Sequence, residues 1–203
     1  MSKDEEKIND EKREDNLDEN NNNSPTINNT PTKEEKLEYS KMIGNYILFD
    51  QIGMGTFSKV TRAVHILTEQ IVAVKILEKE KIEDNIDVER IIREIEILKN
   101  ISHPNIIKLI EIKDTPKYCY IVTEYCNGGS LSNCLEKYQE KNNKAFPEEV
   151  VQYLMYQIVD AIKYLHKNEI LHRDLKLDNI LINYDNDNDR KNSNIMKGKI
   201  KIF

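Results

Sequence analysis

His172-Arg173-Asp174-Leu175-Lys176-Leu177-Asp178-Asn179 is the stretch from which the rest of the chain can be placed. Five of its positions, His-Arg-Asp-Leu and the Asn four residues after that leucine, form a string that an unrelated chain of this length would contain on the order of once in ten thousand times. Before it, residues 147–167 carry Val151, Leu154, Ile158, Ile162 and Leu165 at helical spacing, with Pro147 suited to a helix start. After it, Ile180-Leu181-Ile182 reads as a short strand. The octet is thus a loop between a helix with a buried stripe and a strand.

Further upstream, residues 118–124 read as a strand that runs into Tyr125-Cys126-Asn127-Gly128-Gly129, and helices follow at 130–141 and 147–167. A strand that ends in Gly-Gly before helices marks a lobe boundary. Residues 106–112 give another strand, and 84–100 a helix with Val88, Ile91, Ile95 and Leu98 as its apolar stripe. Glu94 lies three residues after Ile91 and four before Leu98, which puts a carboxylate on that stripe, where it needs a partner. Glu89 and Glu96 have more polar neighbours at the same spacings. His103-Pro104-Asn105 ends the helix, with His103 as a turn or cap residue.

In residues 70–77, Gln-Ile-Val-Ala-Val-Lys-Ile-Leu, the one charged interior residue is Lys75, the obvious partner for Glu94. Strand side chains alternate, so Ala73 and Lys75 share a face. Strands at 45–53 and 57–65 flank Gly53-Met54-Gly55-Thr56. Such a turn lets backbone N–H groups approach a phosphate, and it serves equally well as a plain hairpin.

Composition sets the bounds. Apolar residues make up 38% and charged residues 33% of the 203. Residues 1–40 hold twelve acidic and six basic side chains, so they carry the whole net charge of −6 and leave the remainder neutral. With asparagine at positions 20–23, two prolines and almost no apolar residue, this tail cannot bury enough surface to offset its ordering entropy. It is expected to be disordered, either a docking segment for a regulatory partner or an Asn-rich stretch with none. The neutral remainder gives no electrostatic case for nucleic acid or anionic lipid. No apolar run approaches the ~18 residues of a membrane span, and the acidic start is no signal peptide, so a cytoplasmic location is expected. Cys119, Cys126 and Cys134 fit no CxxC metal pattern and no disulfide framework. Asp185-Asn186-Asp187-Asn188-Asp189 begins like a calcium loop but fails at Arg190 and Met196, and reads as a solvated insertion.

From residue 46 to 203 the chain resembles the eukaryotic protein kinases, through Gly53-x-Gly55-x-x-Ser58-x-Val60, Val72-Ala73-Val74-Lys75, Glu94, and the loop from His172 to Asn179. The resemblance implies an α+β, two-lobed fold with an incomplete C-terminal lobe. The tail would occupy 1–43. An N-lobe of five antiparallel strands and one helix would occupy 44–126, and a partial C-lobe 127–203. It implies ATP and Mg2+ as cofactors and a protein as substrate. Asp174 would orient the substrate hydroxyl and accept its proton, Lys176 would offset phosphoryl charge, Asn179 would hold the metal, and Lys75, fixed by Glu94, would bind phosphates. Gly53, Gly55 and Ser58 would cover the phosphates. Ile52, Val60, Ala73 and Leu181 would sandwich the adenine, with backbone of Glu124 and Cys126 pairing its edge and Thr123 as gatekeeper.

Lys176 is similar to the serine/threonine branch, and residues 124–131 with Phe146-Pro147-Glu148-Glu149 resemble the autophagy-initiating and calcium/calmodulin-type branches. The family continues past a strand like 199–203 into Asp-Phe-Gly. The 203-residue chain is therefore expected to be a truncated, inactive kinase; a non-catalytic nucleotide-binding or interaction module is the alternative.

Overall fold

The computed structural model describes residues 41–55, 58–82, 85–192 and 194–203; the tail up to residue 40 and the turn residues Thr56 and Phe57 lie outside them. The upper half is an antiparallel sheet of six strands: β1 (Lys41–Ile43), β2 (Tyr46–Met54), β3 (Ser58–His65), β4 (Ile71–Glu78), β5 (Leu109–Asp114) and β6 (Tyr118–Glu124), in the order β1-β2-β3-β4-β6-β5. Six strands replace the expected five because Lys41–Ile43, read as the end of the tail, pairs with β2 through Lys41↔Leu48 and Ile43↔Tyr46.

Alternation assigns the two faces of this sheet. Val72, Val74 and Ile76 of β4 join Leu48, Ala63 and Val122 in one apolar cluster. Leu77, with Cys119 and Ile121 of β6, faces the other way and packs against Ile91 and Ile95 of helix α1 (Asn85–Asn100). Val88 of the expected stripe is 39% exposed.

The lower half contains β7 (Gly129–Ser130), α2 (Leu131–Asn142), α3 (Glu148–Lys167), β8 (Ile180–Tyr184), α4 (Asp187–Lys191) and β9 (Gly198–Ile202), with β7-β8-β9 as a second sheet. The double glycine between the halves has a physical reason. A Cβ on Gly128 would sit 2.7 Å from the Ile182 carbonyl oxygen and 2.8 Å from the Tyr184 ring, and Gly129 has a φ of +75°. One position has no room for a side chain; the other is in the left-handed region.

Ile158, Ala161 and Leu165 of α3 pack on Ile180, Ile182, Ile200 and Ile202. Val151, expected in the same stripe, is instead 44% exposed, and Met155 and Val159, one and two turns further on, lie open with it. The buried face includes Gln157, whose Oε1 accepts from Asn105 Nδ2 at 2.9 Å and from Ile200 N at 3.1 Å. Residues 106–107, expected to open a strand, instead dock on β9: Ile107 N donates to Ile202 O at 2.9 Å, and Ile202 N to Asn105 O at 2.9 Å. His103 is the turn residue expected, its Nδ1 accepting from Asn105 N. The 185–194 insertion contains the short helix α4, capped by Asn186 Oδ1, which accepts from Asp189 N at 2.8 Å.

Candidate active site

The strand register collects one set of side chains on a single face of the upper sheet. Gly53 pairs with Val60, Val60 with Lys75, and Ala73 with Thr123. Directly opposed residues share a face, and so do residues two apart, so Gly53, Val60, Ala73, Lys75 and Thr123 lie side by side across four strands. Ile52 is the extra residue of a β-bulge between the pairs Gln51↔Thr61 and Gly53↔Val60, and is 44% exposed. Beyond it Gly55 N donates to Ser58 O at 2.7 Å, closing the glycine turn.

Helix α1 covers the rest of the same face. Its Glu94 Oε1 lies 3.2 Å from Lys75 Nζ, in a partly exposed pair. Glu89 and Glu96 are exposed on the helix's outer side. Burial of Ile91 and Ile95 against the sheet leaves Glu94 as the acid within reach of β4. Lys75 Nζ also stands 5.1 Å from the centroid of the Phe203 ring.

The octet forms a tight loop after α3. Asp174 Oδ2 accepts from Asn179 Nδ2 at 2.9 Å and lies 2.9 Å from Lys176 Nζ, while Asp174 O takes a second bond from Asn179 Nδ2 at 2.8 Å. The Lys176 ammonium, followed by the Asn179 amide, holds the Asp174 carboxyl below its ordinary range. Arg173 has a φ of +67°, an uncommon conformation for a residue with a side chain, and turns the backbone so that Asp174 N faces His172 Nδ1. Phe203 fastens the loop to the end of β9: its N–H donates to Asn179 O at 2.9 Å, and its carbonyl is 3.0 Å from His172 Nε2. Neither Phe203 nor its two backbone contacts could be singled out from the sequence, because nothing in local pattern pairs residues 24 or 31 apart.

Between the lobes, Glu124 and Cys126 form the connecting backbone. Glu124 Oε1 accepts from Lys108 N at 2.8 Å and from Lys201 Nζ at 2.8 Å, so its side chain is fixed away from the cleft-facing carbons of Ala73 and Thr123. Among the described residues no backbone hydrogen bond engages the Cys126 N–H, which leaves it available to a ligand edge. Burial pushes the Cys126 thiol up to about 12. Leu181 alternates with the core residues Ile180 and Ile182 and so lies on the side of β8 away from the lower core, as Lys201 does on β9.

These residues fit a nucleotide in shape: a small side chain at 73, apolar groups at 60 and 181, a cation at 75. For a hard divalent ion they offer less. Asn179 spends its Nδ2 on Asp174 and keeps Oδ1, and among the described residues no group of three or more His, Cys, Asp or Glu is placed to hold a metal. A cavity of about 600 Å³ beside the upper sheet is lined by Leu48, Thr61, Ile76 and Tyr120. Those side chains belong to the opposite face from Lys75, and the cavity meets the site only at the glycine turn, through Gly55 and Ser58. No helix among the described residues is long and apolar enough to cross a membrane.

The protein kinase domain family matches residues 46–202. Maternal embryonic leucine zipper kinase of Xenopus laevis is 36% identical over 148 residues, which is 73% of this chain and 22% of that relative. The chain thus spans about a fifth of the length of the curated relative it matches. Every residue from Ile52 to Leu181 that the register and the loop bring to the cleft falls within the family match, and the chain belongs to the protein kinase family.

Proposed function

We propose that the protein carrying this chain transfers the γ-phosphoryl group of ATP to serine or threonine hydroxyls of protein substrates. The observation that carries the reading is the Asp174 carboxylate, exposed in the cleft and held by Lys176 and Asn179, below a sheet face that presents Lys75 braced by Glu94. Adenine would lie between Ala73 and Val60 above and Leu181 below, with its edge on the Cys126 backbone. Lys75 binds phosphate oxygens. Asp174 accepts a hydrogen bond from the substrate hydroxyl; as its oxygen forms the bond to Pγ and the bond from Pγ to the β-γ bridging oxygen breaks, the proton passes to the carboxylate. Lys176, on the same carboxylate, faces the transferring group and offsets its charge.

Asn179 Oδ1 would contribute to holding Mg2+, which when bound neutralises phosphate charge. One neutral amide is a weak ligand for that ion, so firm binding would need a carboxylate beside Asn179.

The test uses the full-length protein, labelled ATP, a generic protein substrate and phosphoamino-acid analysis. Asp174→Asn should cost on the order of 10²–10⁴ in rate while nucleotide binding persists. Label on tyrosine alone would remove the serine/threonine assignment, and nucleotide binding with no transfer by the unaltered protein would leave a binding module instead.

A further inference from the structure

A second cavity, of about 530 Å³, lies on the lower lobe. Its volume is in the range of ligand sites, roughly 300–1,000 Å³. Helix α2 forms one wall with Lys137, Tyr138 and Lys141, and the insertion forms the other with Arg190 and Lys191; Tyr184 closes the bottom. The lining contains four cations and no acid. Of the insertion's own acids, Asp185 and Asp189 are engaged elsewhere, while Asp187 offsets one of the four cations, Arg190. Asp187 Oδ1 pairs with Arg190 Nε at 3.2 Å, Asp185 Oδ2 with Lys199 Nζ at 3.0 Å, and Asp189 Oδ2 accepts from Asn186 Nδ2 at 2.6 Å. Among the described residues no ion pair involves Lys137, Lys141 or Lys191, and all three are exposed. Buried Tyr184, at 5% exposure, gives the cavity an aromatic base.

We propose that this cavity docks an acidic segment of a partner protein in extended form. Charge complementarity selects the chemistry, and spacing selects the form. Lys137 and Lys141 are one helical turn apart, with Cβ atoms about 5–6 Å from each other. Alternate side chains of an extended peptide project to one side about 6.6 Å apart, so acids at every second position meet both lysines. Arg190 and Lys191 on the facing wall meet the other side of the same segment.

The experiment measures anisotropy of a fluorescein-labelled seven-residue peptide of alternating Glu and Ser on the full-length protein. Binding is expected, weakening as salt rises from about 50 to 200 mM. It should fall at least about tenfold in K137E/K141E, and likewise in Arg190→Gln with Lys191→Gln. The Gln-Ser counterpart should not bind, and K163E/K167E on α3 should leave affinity unchanged. Undiminished binding by K137E/K141E would overturn the proposal. Equal loss in K163E/K167E would do the same by assigning the effect to diffuse charge. Displacement of the peptide by submillimolar inorganic phosphate would replace the docking site with a small-anion site.

Discussion

Asp174 is held ionised by groups of opposite charge and by a donor, Lys176 before Asn179. Its pKa in the folded protein lies below the ~3.9 of an unfolded chain, so its contribution to stability is complete above that value and is lost as pH falls through the lower, folded one. A carbon-13 titration of the Asp174 carboxyl should therefore show a midpoint below ~3.9, and Lys176→Met should raise it. An unchanged midpoint in Lys176→Met would remove the lysine as the cause. Cys126 behaves in the opposite sense: burial keeps its thiol protonated and shut off, and although burial also raises the Cys134 thiol, Cys134 is only partly buried, so alkylation at pH 8 should modify Cys134 well before Cys126, as peptide mapping would show.

Lys75 and Glu94 were legible because each broke a periodic apolar pattern at a position facing inward. Phe203 was not, since it acts through its backbone and the face of its ring.

At the level of elements, period-two and period-3.6 patterns located most of the strands and helices, and they failed where the partner is distant. Ile106 and Ile107 look like strand residues by type, yet Ile106 N donates to His103 O and Ile107 N to Ile202 O, and neither to a neighbour in the upper sheet. Strand β1 is three residues in a polar context, too short to carry a period. Gln157 in α3 reads as a surface residue until its two acceptor contacts are seen. Replacing it with Leu should strand Ile200 N, while Asn105 Nδ2 keeps its bond to Ile200 O at 3.1 Å, and cost roughly 1–3 kcal/mol for the one donor left without a partner. A fall in the denaturant midpoint of the Gln157→Leu protein checks this; a midpoint equal to that of the parent would mean that water replaces the amide.

For the molecule as a whole, α3 has a second apolar face. Val151, Met155 and Val159 recur every four residues and are 44%, 47% and 57% exposed, with Tyr156 beside them at 75%. A 203-residue chain expressed alone should bind a hydrophobic dye through this patch. Met155→Gln with Val159→Gln should reduce the signal while leaving the unfolding midpoint within about 0.5 kcal/mol of the parent. Retention of full dye binding would place the exposed apolar surface elsewhere.

Strand β9 gathers contacts from every part of the site: Lys201 to Glu124, Ile200 to Gln157, Ile202 to Ile107, with Phe203 next to it on Asn179. Its order in synthesis is late. Lys201 follows Glu124 by seventy-seven residues, so at roughly 5–20 residues per second the ribosome delivers it about 4–15 s after the strand it anchors. During that interval the upper sheet is complete while Glu124 lacks its cation and Asn105 its amide partner's strand. A nascent chain in this state offers the backbone of residues 105–107 and, once residues 180–184 are made, the unpaired edge of β8 to any other edge in reach. The interval in which these groups stay unpaired is therefore set by the position of one five-residue strand.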